Sequence, residues 1–270
     1  MIGFASDFGT RDPYVGICHA VIARIDPALR VIDLGHEIPA GDIRGGAALI
    51  AQAAPFLPAP PVLLAVVDPG VGTERAGLVV RTGRDALLVG PDNGLLSWAA
   101  AALGGAVSAY AIENRALMLE PRSNTFHGRD VFAPVAARLA LGLDPSTVGP
   151  ALPVQQLVRL PDPVVRIEPG CLTAEILMVD RYGNLQTAAR LEQLAAARGH
   201  GSVPGPDGAV TVEADGHTLA ATVGTTYGSV PPGEAVVYGD SAGLVAIALN
   251  GADAAAVLHV GPGDLVRIKS

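Results

Sequence analysis

Through the first 140 residues, short apolar runs alternate with stretches of helical period. That alternation restricts the chain to sheets whose strands are joined through helices. The clearest run is Pro61-Val-Leu-Leu-Ala-Val-Val67. It has no polar alternation and several β-branched residues, as expected of a parallel strand covered on both faces. Further candidate strands span 2–6, 30–34, 77–81, 86–89 and 107–111. Candidate helices span 13–25, 42–55, 92–103 and 130–141. In the first helix Val15, Cys18, Val21, Ile22 and Ile25 form one apolar stripe,. The pattern predicts an α/β fold with a parallel or mostly parallel sheet.

The grammar then changes. Pro145, Pro150, Pro153, Pro161, Pro163 and Pro169 punctuate residues 143–170, which read as a linker between two domains, 1–160 and 161–270. From Cys171 onward the pattern is β. Candidate strands are Leu172–Val179, Ala209–Glu213, His217–Ala221, Glu234–Tyr238, Leu244–Leu249 and Asp264–Ile268, with one short helix over 190–198. Tyr182-Gly-Asn184, Pro206-Asp-Gly208 and Ala214-Asp-Gly216 are turn signals,. A small antiparallel barrel or sandwich is expected.

Composition narrows the function. Half of the 270 residues are hydrophobic and the net charge is −8. Lys269 is the sole lysine and the arginines do not cluster, so no surface is predicted for nucleic acid. No apolar stretch approaches eighteen residues, and the first residues lack a basic n-region; a cytoplasmic protein that does not engage membranes is expected. Cys18 and Cys171 form no CxxC and read as reduced core residues. The six histidines show neither HxH nor HExxH, so no metal site is predicted.

Chemistry-bearing residues gather after the predicted strands. Asp68-Pro-Gly-Val-Gly-Thr-Glu-Arg75 leaves the 61–67 strand, and Thr125-Phe-His-Gly-Arg-Asp130 supplies an imidazole, His127. Asp7-Phe-Gly-Thr-Arg-Asp12 leaves the first strand. In open α/β sheets ligands bind beyond such carboxyl ends. Asp7, Asp12 and Asp68 can therefore converge on one crevice, or Asp7 or Asp12 can cap the following helix. Asp68 with Arg75 can equally be a structural ion pair. Gly239-Asp-Ser-Ala-Gly243 matches the GxSxG nucleophile elbow, which would make Ser241 an esterase nucleophile. Yet an apolar β-like run follows it rather than a helix. Gly70-Val-Gly72 starts like a dinucleotide fingerprint, but Arg75 stands at the third glycine.

Several stretches together resemble the S-adenosylmethionine (SAM) hydrolase family, also called SAM hydroxide adenosyltransferase, which is related to fluorinase and chlorinase. They are Ser6-Asp-Phe-Gly-Thr-Arg-Asp-Pro-Tyr-Val-Gly16, Val66-Val-Asp-Pro-Gly-Val-Gly-Thr-Glu-Arg75, Gly90-Pro-Asp-Asn-Gly-Leu-Leu-Ser97, Thr125–Asp130, Val179-Asp-Arg-Tyr-Gly-Asn184 and Thr226-Tyr-Gly-Ser-Val-Pro-Pro-Gly-Glu234. The resemblance implies a Rossmann-like N-terminal domain, a β-barrel C-terminal domain and a homotrimer whose sites are shared between subunits. It implies hydrolysis of SAM to adenosine and L-methionine, with no cofactor. Asp68, Arg75 and His127 match the family's water-handling set. Asp7 matches the ribose contact, and Asp12, Asp180 and Ser241 match the methionine end. Asn184 matches an adenine contact, and Leu249 and Gly251 fall where backbone meets the adenine edge. Asp240 stands where relatives often carry Asn, and Ala242 where some carry a side chain reaching the methionine carboxylate. The alternative within the resemblance is a SAM- or adenosine-binding protein without turnover.

Overall fold

A computed structural model describes residues 1–199 and 208–270. The expected turn at Pro206-Asp-Gly208 falls mostly outside these. Two units are distinct, Met1–Leu160 and Pro161–Ser270.

The first unit runs β1 (Ile2–Ser6), α1 (Tyr14–Ile25), β2 (Val31–Gly35), α2 (Ile43–Ala53), β3 (Val62–Val66), β4 (Gly77–Thr82), β5 (Leu87–Pro91), α3 (Ser97–Ala102), β6 (Ala106–Ala111), α4 (Ala133–Ala140) and β7 (Ala151–Leu152). Its sheet has the order β2-β1-β3-β5-β4-β6-β7. The β2, β1, β3 and β5 pairings are parallel, whereas β4, β6 and β7 extend the sheet antiparallel.

β3 explains the layering. Val62, Leu64 and Val66 face one core with Cys18 and Ile22 of α1 and Val135 and Leu139 of α4. Leu63, Ala65 and Val67 face the other core, with Ile50 of α2 and Ala99 of α3. A period-2 strand that is apolar on both faces has to be covered on both. The chain leaves β1 over one face through α1 and reaches β3 over the other through α2. The carboxyl ends of β1 and β3, adjacent in register Ser6↔Val66, are therefore the topological switch point.

Several expectations are displaced for local reasons. The helix expected over 92–103 shrinks to α3, because the Leu95 N–H donates to Asn93 Oδ1 at 3.1 Å and Gly94 has φ 95°. The helix expected at 130 begins as a π-helical turn, Gly128–Phe132. Neither Asp7 nor Asp12 caps α1, whose cap position is Pro13 without a side-chain bond. Asp42 caps α2 instead, accepting from the Gly45 N–H at 2.8 Å. The proline-rich stretch is more than a linker, since it supplies β7 at the sheet edge, where missing N–H groups are tolerated, and the first strand of the second unit.

That unit contains β8 (Val165–Glu168), β9 (Cys171–Val179), β10 (Leu185–Arg190), α5 (Leu191–Ala197), β11 (Ala209–Ala214), β12 (His217–Val223), β13 (Ala235–Gly239), β14 (Leu244–Leu249), α6 (Ala254–Leu258) and β15 (Leu265–Lys269). The order β10-β14-β13-β12-β11-β15-β9 closes through β9–β10 pairing, with β8 flanking β9. This is a seven-stranded barrel, antiparallel except for β12–β13. Leu185, Thr187 and Ala189 of β10 point inward among Ile176, Val237 and Ile247. Cys18 and Cys171 are both free and buried. No helix among the described residues is long and apolar enough to cross a membrane.

Leu64 and Ile247 are fully buried, one in each unit. Leu64→Ala and Ile247→Ala should each cost about 2–5 kcal/mol through lost burial and a residual cavity. Urea unfolding should show a lower midpoint with unchanged slope; a midpoint as in wild type would contradict the cores described.

Candidate functional site

Asp68 leaves the sheet directly after Val67, and Asp7 directly after β1. The Asp7 N–H donates to the Val66 carbonyl at 3.2 Å, and the Gly41 N–H donates to Asp7 Oδ2 at 2.9 Å. The loop after β1 is held by the segment after β2: the Gly9 N–H donates to the His36 carbonyl at 2.7 Å, and the Thr10 N–H to Glu37 Oε1 at 2.7 Å. Asp12 is exposed further along this loop.

The loop after β3 turns twice locally, with Val71 N–H on Asp68 O and Thr73 N–H on Gly70 O. It thereby returns Arg75 to Asp68. Arg75 Nε donates to Asp68 Oδ1 at 2.9 Å, and Nη2 donates to Asp68 Oδ2. The same Nη2 lies 3.0 Å from His127 Nδ1. The side chains of Arg75 and Asp68 are 12% and 5% exposed. The guanidinium also faces the Phe132 ring, 5.1 Å from its centroid.

Two glycines permit this convergence. At Gly72, with φ 80°, a Cβ would come within 2.5 Å of the Asn124 carbonyl oxygen; at Gly128 it would come within 2.7 Å of the Phe8 ring. Phe126 packs edge-on against Phe8 and Tyr14, centroids 5.6 and 5.2 Å away. Asp130, 1% exposed, accepts from the Ser123 N–H at 2.7 Å and from Arg129 Nε at 2.6 Å. These contacts dock the His127 loop onto the loop after β1.

A guanidinium only donates. Nδ1 of His127 therefore accepts, and the ring proton sits on Nε2. Burial, then Arg75 and Arg122, push the His127 pKa below its ordinary value, so the neutral ring is favoured. Among the described residues, Nε2 is buried without a hydrogen-bond partner. The first unit thus presents a fixed carboxylate, a fixed cation and one unsatisfied imidazole N–H.

The second unit carries a cleft of about 960 Å³, whose lining includes Asp180, Asn184, Ser241, Leu249 and Gly251. Asp180 organises the turn between β9 and β10. Its Oδ1 accepts from the Tyr182 and Asn184 N–H groups at 2.8 and 2.9 Å, and its Oδ2 from Asn184 Nδ2 at 2.8 Å. Gly183 has φ 81°, and a Cβ there would lie 2.2 Å from the Asp253 carboxyl carbon. Tyr182, Tyr227, Tyr238 and Arg181 also line the cleft. The quoted stretches contain three of these four, yet no local signal marks them as lining residues. Burial, then Asp180 and Asp240, raise the Tyr238 pKa, so its phenol stays a donor.

Ser241 sits in the tight β13–β14 hairpin. Asp240 Oδ1 accepts from the Ala242 and Leu244 N–H groups at 2.8 and 2.9 Å, and Asp240 Oδ2 accepts from Gln186. A nucleophile elbow requires strand, turn and helix; strand, turn and strand stand here. The esterase reading of Ser241 is therefore wrong, because an antiparallel partner occupies the place of the helix. Among the described residues, no group of three or more His, Cys, Asp or Glu is arranged to hold a metal ion.

Two family models match, the SAM hydroxide adenosyltransferase N-terminal domain over residues 2–149 and its C-terminal domain over 174–267. The chain is 50% identical to an (R)-S-adenosyl-L-methionine hydrolase of Salinispora tropica, covering 99% of this chain and 97% of that one. It is 26% identical to a fluorinase of an Actinoplanes species, over 99% and 97%. A crystal structure of an uncharacterized conserved protein from Thermotoga maritima superposes with a TM-score of 0.93 at 38% identity, covering all of both chains.

His127 has a depressed pKa when folded. The unfolded chain therefore binds the proton more readily, and stability rises with pH across the window. The contribution is complete above the ordinary value of 6.5 and is lost as pH falls through the folded pKa. Urea midpoints should be flat above about pH 6.5 and fall below it, and His127→Gln should flatten that slope. An equal slope in the variant would assign the acid sensitivity to other groups.

Proposed function

The chain belongs to the SAM hydroxide adenosyltransferase family, and we propose that it cleaves S-adenosyl-L-methionine with water to adenosine and L-methionine. The observation that carries this reading is the Arg75 guanidinium bridging Asp68 and neutral His127. Binding alone does not require such a set, which disfavours a non-catalytic SAM-binding role.

The chemistry is an in-line displacement at the 5′ carbon. A water donates a hydrogen bond to Asp68 and directs a lone pair at the carbon. The new C–O bond forms as the C–S bond breaks, and its electron pair neutralises the sulfonium, giving methionine. The proton leaves the oxygen late, to the Asp68 carboxylate. Arg75 fixes the carboxylate that holds the water, and His127 Nδ1 braces the guanidinium from its other side. Positioning of this kind lowers a barrier by roughly 7–11 kcal/mol at best. Dispersal of the sulfonium charge also favours a drier pocket.

In the same reading Asp7 holds the ribose hydroxyls with the capacity that Gly41 leaves free. Asp12, Asp180 and Ser241 meet the methionine end, and Asn184, Leu249 and Gly251 meet the adenine. No cofactor takes part. These groups divide between the two units, which supports sites in which each substrate is contacted by the first unit of one chain and the second unit of its neighbour; the reading places them in a cytoplasmic homotrimer.

Incubation of the purified protein with SAM in heavy-oxygen water should yield adenosine labelled at the 5′-hydroxyl; recovery of methylthioadenosine or S-adenosylhomocysteine alone would refute the reaction. Asp68→Asn, which keeps the shape of the side chain but removes its charge, should lower kcat by about 10²–10⁴-fold, the range of an acid–base or positioning group. Calorimetry should find SAM affinity within a few-fold of wild type, because the lost contact is to water.

Asp7→Ala and Asn184→Ala should each be impaired alone. Co-expressed in mixed oligomers, they should regain about one intact site in four if sites are shared around a closed ring. No recovery, with mixed oligomers confirmed by native mass spectrometry, would locate both contacts within one chain.

A further inference from the structure

Gly90-Pro-Asp-Asn-Gly94 carries no group assigned to the substrate, yet its contacts converge on the catalytic loop. Asn93 Nδ2 donates to the Val67 carbonyl at 2.8 Å. Val67 is the residue immediately before Asp68, beyond the last paired residue of β3. The Leu95 N–H donates to Asn93 Oδ1 at 3.1 Å, which fixes the amide's orientation. The Asp92 N–H donates to the Ala76 carbonyl at 2.9 Å, and Ala76 immediately follows Arg75. Asp92 is anchored in turn, accepting from the Val158 N–H at 3.0 Å.

Both ends of the Asp68–Arg75 loop are therefore tied to one short segment. That segment is seated against β3: a Cβ at Gly90 would come within 2.4 Å of the Ala65 carbonyl oxygen. The loop's internal bonds, Val71 to Asp68 and Thr73 to Gly70, shape it without fixing it to the sheet. Without the Asn93 amide, a largely buried carbonyl adjoining Asp68 would lack this donor and the peptide would be free to rotate.

We infer that Asn93 is a positioning residue for Asp68, orienting the peptide from which the carboxylate projects toward Arg75 and the water; this rests on the hydrolysis proposed above. Substitution should act on turnover rather than on affinity, because Asn93 touches neither substrate nor water.

The discriminating variant is Asn93→Asp. It keeps the oxygen that accepts from Leu95 and replaces the donor to Val67 with a second oxygen. With SAM as probe, kcat should fall on the order of 10²-fold, the penalty for a misplacement of about 1 Å, while calorimetric Kd stays within about threefold. In an Asp68→Asn background the same change should add little, since residues acting through one group are non-additive. If Asn93→Asp does not fold, Asn93→Ser carries the same test without added charge. Unchanged kcat, a weakened Kd at constant kcat, or full additivity would overturn the inference. A crystal structure of the variant separates this idea from the choice of substrate. Should wild type fail to turn over SAM, an undisturbed Asp68–Arg75–His127 geometry in the variant still refutes the positioning role, and a displaced one sustains it.

Discussion

Arg75 has donors and no acceptor, and it is anchored between a carboxylate seven residues away and an imidazole fifty-two residues away. The rest of the crevice follows from that constraint. A guanidinium this buried needs its countercharge close by, which requires the loop after β3 to fold back on itself. The His127 loop must then approach Nη2 with the unprotonated ring nitrogen facing it. Such a pair contributes little net stability, because desolvation offsets much of the attraction. Its value lies in geometry: one planar cation sets the separation of the two groups and the tautomer of the imidazole.

The convergence depends on positions where a side chain would not fit. Gly72 lies against the Asn124 carbonyl and Gly128 against the Phe8 ring. The aromatic contact among Phe8, Tyr14 and Phe126 couples the loops after β1 and before α4. The π-helical turn from Gly128 to Phe132 places His127 at its start and the Phe132 ring under Arg75. Extra residues in a helical turn are frequent at functional sites because they re-aim the side chains around them. Sheet topology brings Asp7 and Asp68 together, whereas packing between loops brings in His127.

Much of this was legible in the sequence where the causes are local. The Val62–Val66 strand, the acid after it and the turn formed by Pro69 and Gly70 are neighbours along the chain. β10 was not legible: its alternation is blurred by Thr187 on the inner face and Ala188 on the outer, and it is held by closing the barrel against β9 and β14. The cap of α2 by Asp42, the Asn93 bond to Val67 and the tyrosines lining the cleft are equally tertiary. Each depends on a neighbour that composition and period do not reveal. The elbow-like Gly239–Gly243 stretch misleads for the converse reason, since the same five letters suit a hairpin once an Asx turn at Asp240 takes the backbone N–H groups.

The two units hold their functional groups in different ways. In the first, the side chains of Asp68, Arg75 and His127 hold one another. In the second, carboxylates hold backbone: Asp180 takes the N–H groups of Tyr182 and Asn184, Asp240 those of Ala242 and Leu244, and Asp253 that of Ala256. The acidity of this cleft is therefore largely structural, and it is not by itself a signal for a cationic ligand. Removing Asp180 would release the turn that presents Asn184, so lost activity there would not distinguish a substrate contact from a support. Asn184→Ala leaves the two backbone bonds to Asp180 Oδ1 in place and removes only the bond from its own amide. Of the two positions, Asn184 is therefore the one at which a kinetic effect can be read as recognition.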